Sequence, residues 1–375
     1  MQSLIENKEE IIDTIKLLIY KQNPDLFNNL HFDDDNTFSD PLLFAYFNSH
    51  KSKVLSNELL IEIMQGYFIK KSTLGIKYSH NKNEIAYLPE IGYFQNSEKV
   101  EDILLIEGFE IVKEIHPLLE KYFVQSYRGH IVNPNPIYNS VWYNNYKELE
   151  KAIIIIKKFL PDFYQELVFA NKKIYLHDNS HILNFTTIET LGMLYLYVLG
   201  KNNIIYFIEE LIHQGSHNFL YYKMHAVKDF FIIDALNTIM RDLTGKEWDY
   251  RDLFGAFHGL YTVTRRVECF DLLLSKNVFS GREKHELLGR FADQFNRFRT
   301  GLELLNLNKV YTQKGVKFYQ ELDLRCHTIL DKYRKLPSYF NLSNRDLDFR
   351  YKDFCVLNSY NEFLKKENEG YFNFN

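Results

Sequence analysis

Helix signals dominate this chain and restrict its fold more than any other feature. In the segment 8–20, apolar side chains recur at intervals of three and four residues, the spacing of one face of an α-helix. Residues 1 to about 125 show mostly such signals. Further segments share the spacing or start at a capping residue, and they predict helices at 56–64, 146–160, 161–168, 186–200, 202–225, 251–274, 280–305 and 312–333.

Strand signals are few. The segments 172–178 (KKIYLHD) and 181–185 (HILNF) are short and rich in β-branched or aromatic residues, and they predict a small β-hairpin. One strand pair is too little for a closed barrel. The sequence therefore predicts a mainly α fold with a helical core and a small β-hairpin, and not a jelly-roll barrel.

The segment 132–139 (VNPNPIYN) combines two prolines with three asparagines and is the best candidate for a domain boundary. It divides the chain into a helical N-terminal region, residues 1–130, whose role the sequence does not indicate, and a second region, residues 131–375. The main candidate site residues described below lie in the second region.

Charge and cysteine usage exclude several classes of protein. Forty-five basic residues against 49 acidic ones give a net charge of −4, so nucleic acid is not expected as a partner. Three widely spaced cysteines give no disulfide framework and fit a reducing compartment. The acidic start is unlike a secretory signal, and the apolar run Leu191–Leu199 is shorter than the ~20 residues that span a bilayer. We expect a soluble, cytoplasmic protein with no membrane partner.

A pair of histidines is the sharpest chemical feature. His213 and His217 are four residues apart in a predicted helix, which places both imidazoles on one face, where they can bind one metal ion. The pair is equally compatible with ordinary surface or core histidines. Gln214 stands between them where the HExxH peptidase motif has its glutamate base, and a neutral amide cannot take a proton from a metal-bound water. Glu209 lies one turn before His213 and either orients that ring or belongs to an acidic helix face that interacts with nearby lysines.

The third ligand is predicted to be His258, in the separate helical segment 255–270. His225 would need a bend in its helix to converge with the first two. Tyr261, Thr262 and Arg265 follow at three, four and seven residues from His258, on the same face. An arginine there meets an anionic ligand or, in the alternative interpretation, pairs with Glu268 or Asp271.

Weaker motifs offer other ligand sets. His31-Phe32-Asp33 matches the HxD motif of jelly-roll oxygenases, but the chain around it has helix signals. Asp229 and Asp234 could complete a set of two histidines and one carboxylate, although a capping or ion-paired aspartate is the default interpretation of each.

Four blocks in order resemble the HExxH-type, iron- and 2-oxoglutarate-dependent peptide β-hydroxylases of ribosomal-peptide biosynthesis. They are FTTIETLGMLYL (185–196), EELIHQGSHNFL (209–220), FHGLYTVTRRV (257–267) and VYTQKGVKFYQEL (310–322), and the resemblance covers about residues 130–335. The chain departs from the family pattern at Gln214. An iron oxygenase needs open metal positions rather than a glutamate base, so the departure is compatible with this activity.

The resemblance implies a helical metalloenzyme core in region 131–375. His213, His217 and His258 would bind Fe(II), and Arg265, with Arg266 as the less favoured neighbour and Thr262 beside them, would bind 2-oxoglutarate. Gln214 and Tyr261 would lie at the catalytic centre. The enzyme would use O₂ and the keto acid to hydroxylate the β-carbon of a residue in a ribosomally made precursor peptide, its expected partner.

Two alternatives remain open at this point. The chain can be a zinc-peptidase relative that has lost its base, or a non-catalytic module that binds a precursor peptide. The sequence does not identify the peptide, the hydroxylated residue or the oligomeric state.

Overall fold

A computed structural model describes residues 2–49, 56–70, 78–123, 126–127, 130–131, 139–179, 182–345 and 349–374 of the chain. The predicted boundary segment falls mostly outside these residues, at 132–138. Helices make up most of the described chain and the strands form only small, open sheets, so the predicted mainly α fold without a closed barrel is confirmed.

The helices agree with most of the predicted ones. They are α1 (Gln2–Gln22), α2 (Asp35–Phe38), α3 (Pro41–Phe47), α4 (Asn57–Met64), α5 (Pro117–Glu120), α6 (Asn139–Phe159), α7 (Pro161–Ala170), α8 (Ile204–Lys223), α9 (Met240–Thr244), α10 (Leu253–Ser275), α11 (Gly281–Arg297), α12 (Gln313–Lys332), α13 (Tyr351–Leu357) and α14 (Tyr360–Asn368). Two predicted capping residues do what their side chains suggest: Ser56 accepts a hydrogen bond from the Leu59 amide and Thr312 from the Gly315 amide.

In the described part of the chain, nine short strands accompany the helices. They are β1 (Ala86–Leu88), β2 (Gly92–Gln95), β3 (Glu98–Asp102), β4 (Leu104–Ile106), β5 (Phe109–Val112), β6 (Ser126–Tyr127), β7 (His130–Ile131), β8 (Lys173–His177) and β9 (Met193–Tyr197). They form sheets in the orders β1-β2-β3, β4-β5-β8-β9 and β6-β7. The prediction of a helical N-terminal region is therefore wrong for residues 86–112, where alternating turns and short extended segments form β1 to β5.

The predicted hairpin of 172–178 with 181–185 is also wrong. The strand at 173–177 exists, but it pairs in parallel with β5 on one side and with β9 on the other. Every residue of β8 and of β9 is buried, so both strands are covered on their two faces, as is usual for parallel strands.

The segment 186–200 holds the third difference from the sequence-based expectation. Thr187 caps only the single 3₁₀ turn Ile188–Thr190, and the apolar run that follows is strand β9 instead of a helix. A short apolar run without polar positions fits a buried strand and a buried helix equally well. Gly192 decides between them, because its φ of +94° ends the turn and starts the strand.

The described chain divides into two compact units. The first comprises Met1–Ile154, Gln165–Asn203 and Tyr221–Lys223, and the second comprises Ile155–Tyr164, Ile204–Leu220 and Met224–Asn375. In the second unit, α10 packs against α11 and α12. Asp252 starts α10 by accepting a hydrogen bond from the Gly255 amide, which places His258 on the second turn.

Among the described residues, none of the helices combines the length and the apolar character that crossing a bilayer requires.

Candidate metal centre

Helices α8 and α10 bring the three predicted histidines side by side. The ring centroids of His213 and His217 are 5.0 Å apart, and those of His217 and His258 are 5.3 Å apart with ring planes at 15°. The Nδ1 atoms of His217 and His258 are separated by 3.0 Å. His217 and His258 are 41 residues apart along the chain. They meet because α8 lies beside α10.

The separation of the two Nδ1 atoms suits a shared cation as well as a direct hydrogen bond. Nitrogen ligands bound at ~2.1 Å from one metal ion and roughly at right angles lie about 3 Å from each other. Burial lowers the pKa of all three imidazoles well below 6.5. They are therefore neutral near pH 7, which is the form that binds metals.

His213 has the polar partners of its Nδ1 on its own helix. This atom lies 3.5 Å from a carboxylate oxygen of Glu210 and 3.3 Å from the amide nitrogen of Gln214. As placed, the described residues contain no group of three or more histidine, cysteine or carboxylate side chains that could hold a metal ion.

Glu210, and not the predicted Glu209, is the carboxylate beside His213. Burial raises the pKa of Glu210 to about 7, and the negative charge of Glu209 adds to this effect. Glu210 also lies 3.5 Å from the Gln214 amide nitrogen, one turn along α8. His213, Gln214 and Glu210 therefore form one polar group on the same face of the helix.

Glu209 is held by a buried ionic cluster, which explains why it does not reach His213. Its carboxylate accepts hydrogen bonds from Arg290 at 2.5 Å, from Arg266 at 3.2 Å and from the amide of Gln294 at 3.2 Å. Burial alone would raise the pKa of Glu209, but Arg290 and Arg266 outweigh it and lower the pKa to about 2. Glu209 is therefore ionised near neutral pH, and the alternative of an acidic helix face that interacts with nearby lysines is wrong, because its partners are buried arginines.

The two arginines predicted to bind an anion are placed differently. Arg265 donates to Glu268 at 2.6 Å, and Glu268 also accepts from Arg325 at 2.6 Å. This is the ion pair that the alternative interpretation of Arg265 predicted. Arg266 instead lies in the cluster of Glu209, and its positive charge contributes to the lowered pKa values of His213 and His217.

Arg266 has spare hydrogen-bonding capacity. It is 3% exposed, and its Nε has no hydrogen-bond acceptor in the described part of the chain. Burial lowers the pKa of its guanidinium to about 10. A buried N–H without an acceptor costs about 1–3 kcal/mol, so an anion that reached this atom would be stabilised there.

Tyr261 and Thr262 lie on α10 as predicted, but their described contacts are with other groups. The ring of Tyr261 is 6.3 Å from that of Phe318 on α12, and the hydroxyl of Thr262 donates to the Gly259 carbonyl at 3.1 Å. Their predicted roles at the catalytic centre and in cosubstrate binding stay predictions.

The weaker ligand candidates have local explanations. Asp229 pairs with Lys314 at 3.1 Å, and Asp234 accepts hydrogen bonds from the Leu236 amide and the Asn237 side chain within its own turn. His225 lies beyond the end of α8 at Lys223. The motif at 31–33 precedes the short helix α2.

Sequence reasoning did not find Arg290 and Gln294, which complete the cluster on Glu209. The spacing of Glu286 and Arg290 on α11 is a signal of an ion pair, and they do pair at 2.7 Å. Nothing in the sequence indicates that this pair extends to Glu209, 81 residues earlier. Glu210 could have been preferred to Glu209, because its spacings to His213 and Gln214 are three and four residues.

No protein-family model matches this chain, and a search of curated proteins found no similar sequence.

Proposed function

We propose that this chain is a non-haem Fe(II)- and 2-oxoglutarate-dependent oxygenase that hydroxylates the β-carbon of a residue in a ribosomally synthesised precursor peptide. The observation that carries the proposal is the row of three neutral imidazoles on α8 and α10, with the two Nδ1 atoms of His217 and His258 at 3.0 Å. The order of the sequence blocks supports the same activity.

The residues present fit an iron site. His217 and His258 would bind the metal through the Nδ1 atoms that now meet in a hydrogen bond, and His213, whose ring is the neighbour of His217, would be the third ligand. Three histidines leave positions open for a cosubstrate and O₂. When bound, Fe(II) with 2-oxoglutarate supplies the oxidising chemistry, which puts one oxygen atom of O₂ into the substrate and the other into succinate.

The residues also fit a keto-acid carboxylate, with Arg266 in the leading place. The positive charge of Arg266, and not that of Arg265, contributes to the lowered pKa values of His213 and His217, and the buried Nε of Arg266 lacks an acceptor in the described structure. Arg266 would therefore hold the distal carboxylate of 2-oxoglutarate, and Arg265 would act through the ion pair. This reverses the order in which the sequence ranked the two arginines.

Gln214 fits an orienting role rather than that of a base. Its amide nitrogen lies near the Nδ1 of His213 and near Glu210, so it can hold the imidazole through a hydrogen bond. A neutral amide does this without taking a proton from a metal-bound water. The proposal therefore needs Gln214 as a positioning residue.

Anaerobic reconstitution tests the proposal. Fe(II) is added to the full chain and then 2-oxoglutarate, and the expected result is a weak visible charge-transfer band that His258→Ala abolishes. His327→Ala is the matched control, because His327 is an exposed histidine on α12, and it should leave the band unchanged.

Other outcomes select the alternatives. Tight zinc binding with no response to the keto acid, together with proteolysis by Gln214→Glu, would identify a peptidase relative and reject the oxygenase. Peptide binding that survives both His213→Ala and His258→Ala, with no metal bound by the parent chain, would identify a non-catalytic module.

A further inference from the structure

The first compact unit contains a cavity of about 620 Å³ that the proposed function does not use. Cavities of this size hold small organic molecules, which typically fill ~300–1,000 Å³. Two lysines and several aromatic rings line it, among them Lys8, Lys172, Tyr67, Phe169 and Tyr222. Cations and aromatic rings together favour a ligand that has both a negative charge and an apolar part.

Lys8 is held at the cavity wall by neutral groups. Its Nζ donates to the Phe169 carbonyl at 2.7 Å and lies 4.3 Å from the centroid of the Phe169 ring and 5.8 Å from that of Tyr222. Burial lowers the pKa of this ammonium. Only one of its three N–H donors is used by the described protein groups.

Lys172 has a similar environment. Its Nζ donates to the Asn36 carbonyl at 2.7 Å and to the Tyr67 hydroxyl at 2.9 Å. Burial lowers its pKa too, although Asp40 and Glu90 attract its charge, and its own charge contributes to the lowered pKa of Lys8. The two ammonium groups therefore repel each other at one cavity.

Neither ammonium has a carboxylate within 4.0 Å among the described residues. Asp34 and Glu90 also line the cavity, but Asp34 is used as the cap of α2, where it accepts from the Asn36 amide and the Thr37 hydroxyl. The neighbouring Lys173 shows how this unit treats a structural lysine: its Nζ lies 3.1 Å from Asp40 and 2.5 Å from Glu110. Buried charges are usually paired in this way.

We propose that this cavity binds a small organic anion, whose carboxylate or phosphate group accepts the spare N–H donors of Lys8 and Lys172 while an apolar or aromatic body lies against Phe169 and Tyr222. The two ammonium groups supply three unused donors between them, enough for an oxyanion bound by more than one oxygen. The rings supply the apolar surface that a ligand of this kind buries.

Calorimetric titration of the full, metal-free chain tests the proposal with defined probes. Phenyl phosphate and benzoate carry the charge and the ring, inorganic phosphate and 2-oxoglutarate carry only charge, and benzyl alcohol carries only the ring. The expected result is binding of an aromatic anion at least 10-fold tighter than of benzyl alcohol. Preference for phenyl phosphate or for benzoate distinguishes a phosphate ligand from a carboxylate ligand.

Variants locate the binding. Lys8→Met and Lys172→Met are each expected to lower the affinity for the aromatic anion 10-fold or more. Lys8→Arg should recover part of the lost affinity. Lys147→Met is the matched control, because the ammonium of Lys147 also lies beside a ring, 5.9 Å from the centroid of Tyr146, but does not line the cavity. It should change affinity less than 2-fold.

Binding of the parent chain decides the matter even if a methionine variant fails to fold. Equal affinity for benzyl alcohol and the aromatic anions, or no binding of either anion at millimolar concentration, overturns the proposal. An equal loss of affinity in Lys147→Met also overturns the proposal. Because the titration contains no metal, these outcomes are independent of the proposed oxygenase activity.

Discussion

Each compact unit contains a buried ionic cluster, and the two clusters differ in whether all their hydrogen-bond donors have acceptors. In the first unit, Lys173 lies between Asp40 and Glu110, and tyrosine hydroxyls donate to both carboxylates: Tyr67 to Asp40 and Tyr87 to Glu110. In the second unit, Glu209 lies between Arg290 and Arg266, with Gln294 donating to it as well.

The clusters differ in whether they leave a hydrogen-bond donor without an acceptor. The ammonium of Lys173 donates to Glu110 and lies near Asp40, and the two carboxylates carry tyrosine donors, so the first cluster is complete in itself. The second leaves the Nε of Arg266 without an acceptor in the described structure, and the charge of Arg266 contributes to the lowered pKa values of His213 and His217. A complete cluster stabilises one packing arrangement, whereas a cluster with an unused donor has capacity for a ligand.

The largest effect is expected from Lys173→Met. Removing the ammonium leaves two carboxylates buried together without a cation, which costs about 3–5 kcal/mol in similar cases. The free energy of unfolding, measured by urea denaturation, should fall by that amount. Lys314→Met, which removes an exposed lysine, is the control, and an unchanged midpoint for Lys173→Met would show that the first cluster does not stabilise the fold.

Glu209→Gln should follow in size. The amide keeps the shape but leaves two buried guanidinium groups without their shared anion, and Arg290 retains Glu286 as a partner. A loss of about 3 kcal/mol is expected, at the lower end for a broken buried pair. Denaturation of Glu283→Gln, an exposed position at the start of α11, should show a change below about 0.5 kcal/mol.

The pH dependence of stability sharpens the same comparison. The folded pKa of Glu209 is about 2, below its usual 4.5, so its contribution is fully present above pH 4.5 and is lost as the pH falls towards 2. This loss is on the order of 3 kcal/mol. Unfolding curves across this range should fall less steeply with acid for Glu209→Gln than for the parent chain; parallel curves would contradict the assignment.

The two adjacent arginines give the next comparison, in binding instead of stability. Arg266→Met should weaken 2-oxoglutarate binding to the iron-loaded chain at least 10-fold, whereas Arg265→Met, whose partner is Glu268, should change it less than 3-fold. The titration of the charge-transfer band measures both. The reverse ranking would restore Arg265 as the carboxylate-binding residue.

The smallest effect is expected at Asp229. Its ion pair with Lys314 is exposed on both sides, so Asp229→Ala should cost less than about 1 kcal/mol. The same variant should bind Fe(II) as tightly as the parent chain. A loss of metal would make Asp229 a ligand and remove the three-histidine arrangement from the proposal.

The fold was predictable where local signals agree. Ser56 and Thr312 cap the helices that they were expected to cap, and Pro161 separates α6 from α7 as expected. The prediction failed at 186–200, where a buried parallel strand has no polar positions that distinguish it from a helix. It failed also at 86–112, where strands of three to five residues are too short to give a pattern.

The candidate site was predictable only in part. The four-residue spacing of His213 and His217 places them on one face of α8, and the seven-residue spacing of His258 and Arg265 places these two on one face of α10. Spacing along a helix did not show that Arg266 would turn to Glu209. The cluster on Glu209 also includes Arg290, which comes from another helix.

The sequence by itself therefore determined which residues share a helix face, because the period of the α-helix is a property of the local chain. Only the tertiary structure decided which charged groups pair across helices: Glu209 with Arg290 and Arg266, and Glu268 with Arg325. The reason is that burying an unpaired charge is costly, so a buried charged group pairs with an opposite charge close to it. Which groups are close depends on how distant segments of the chain pack.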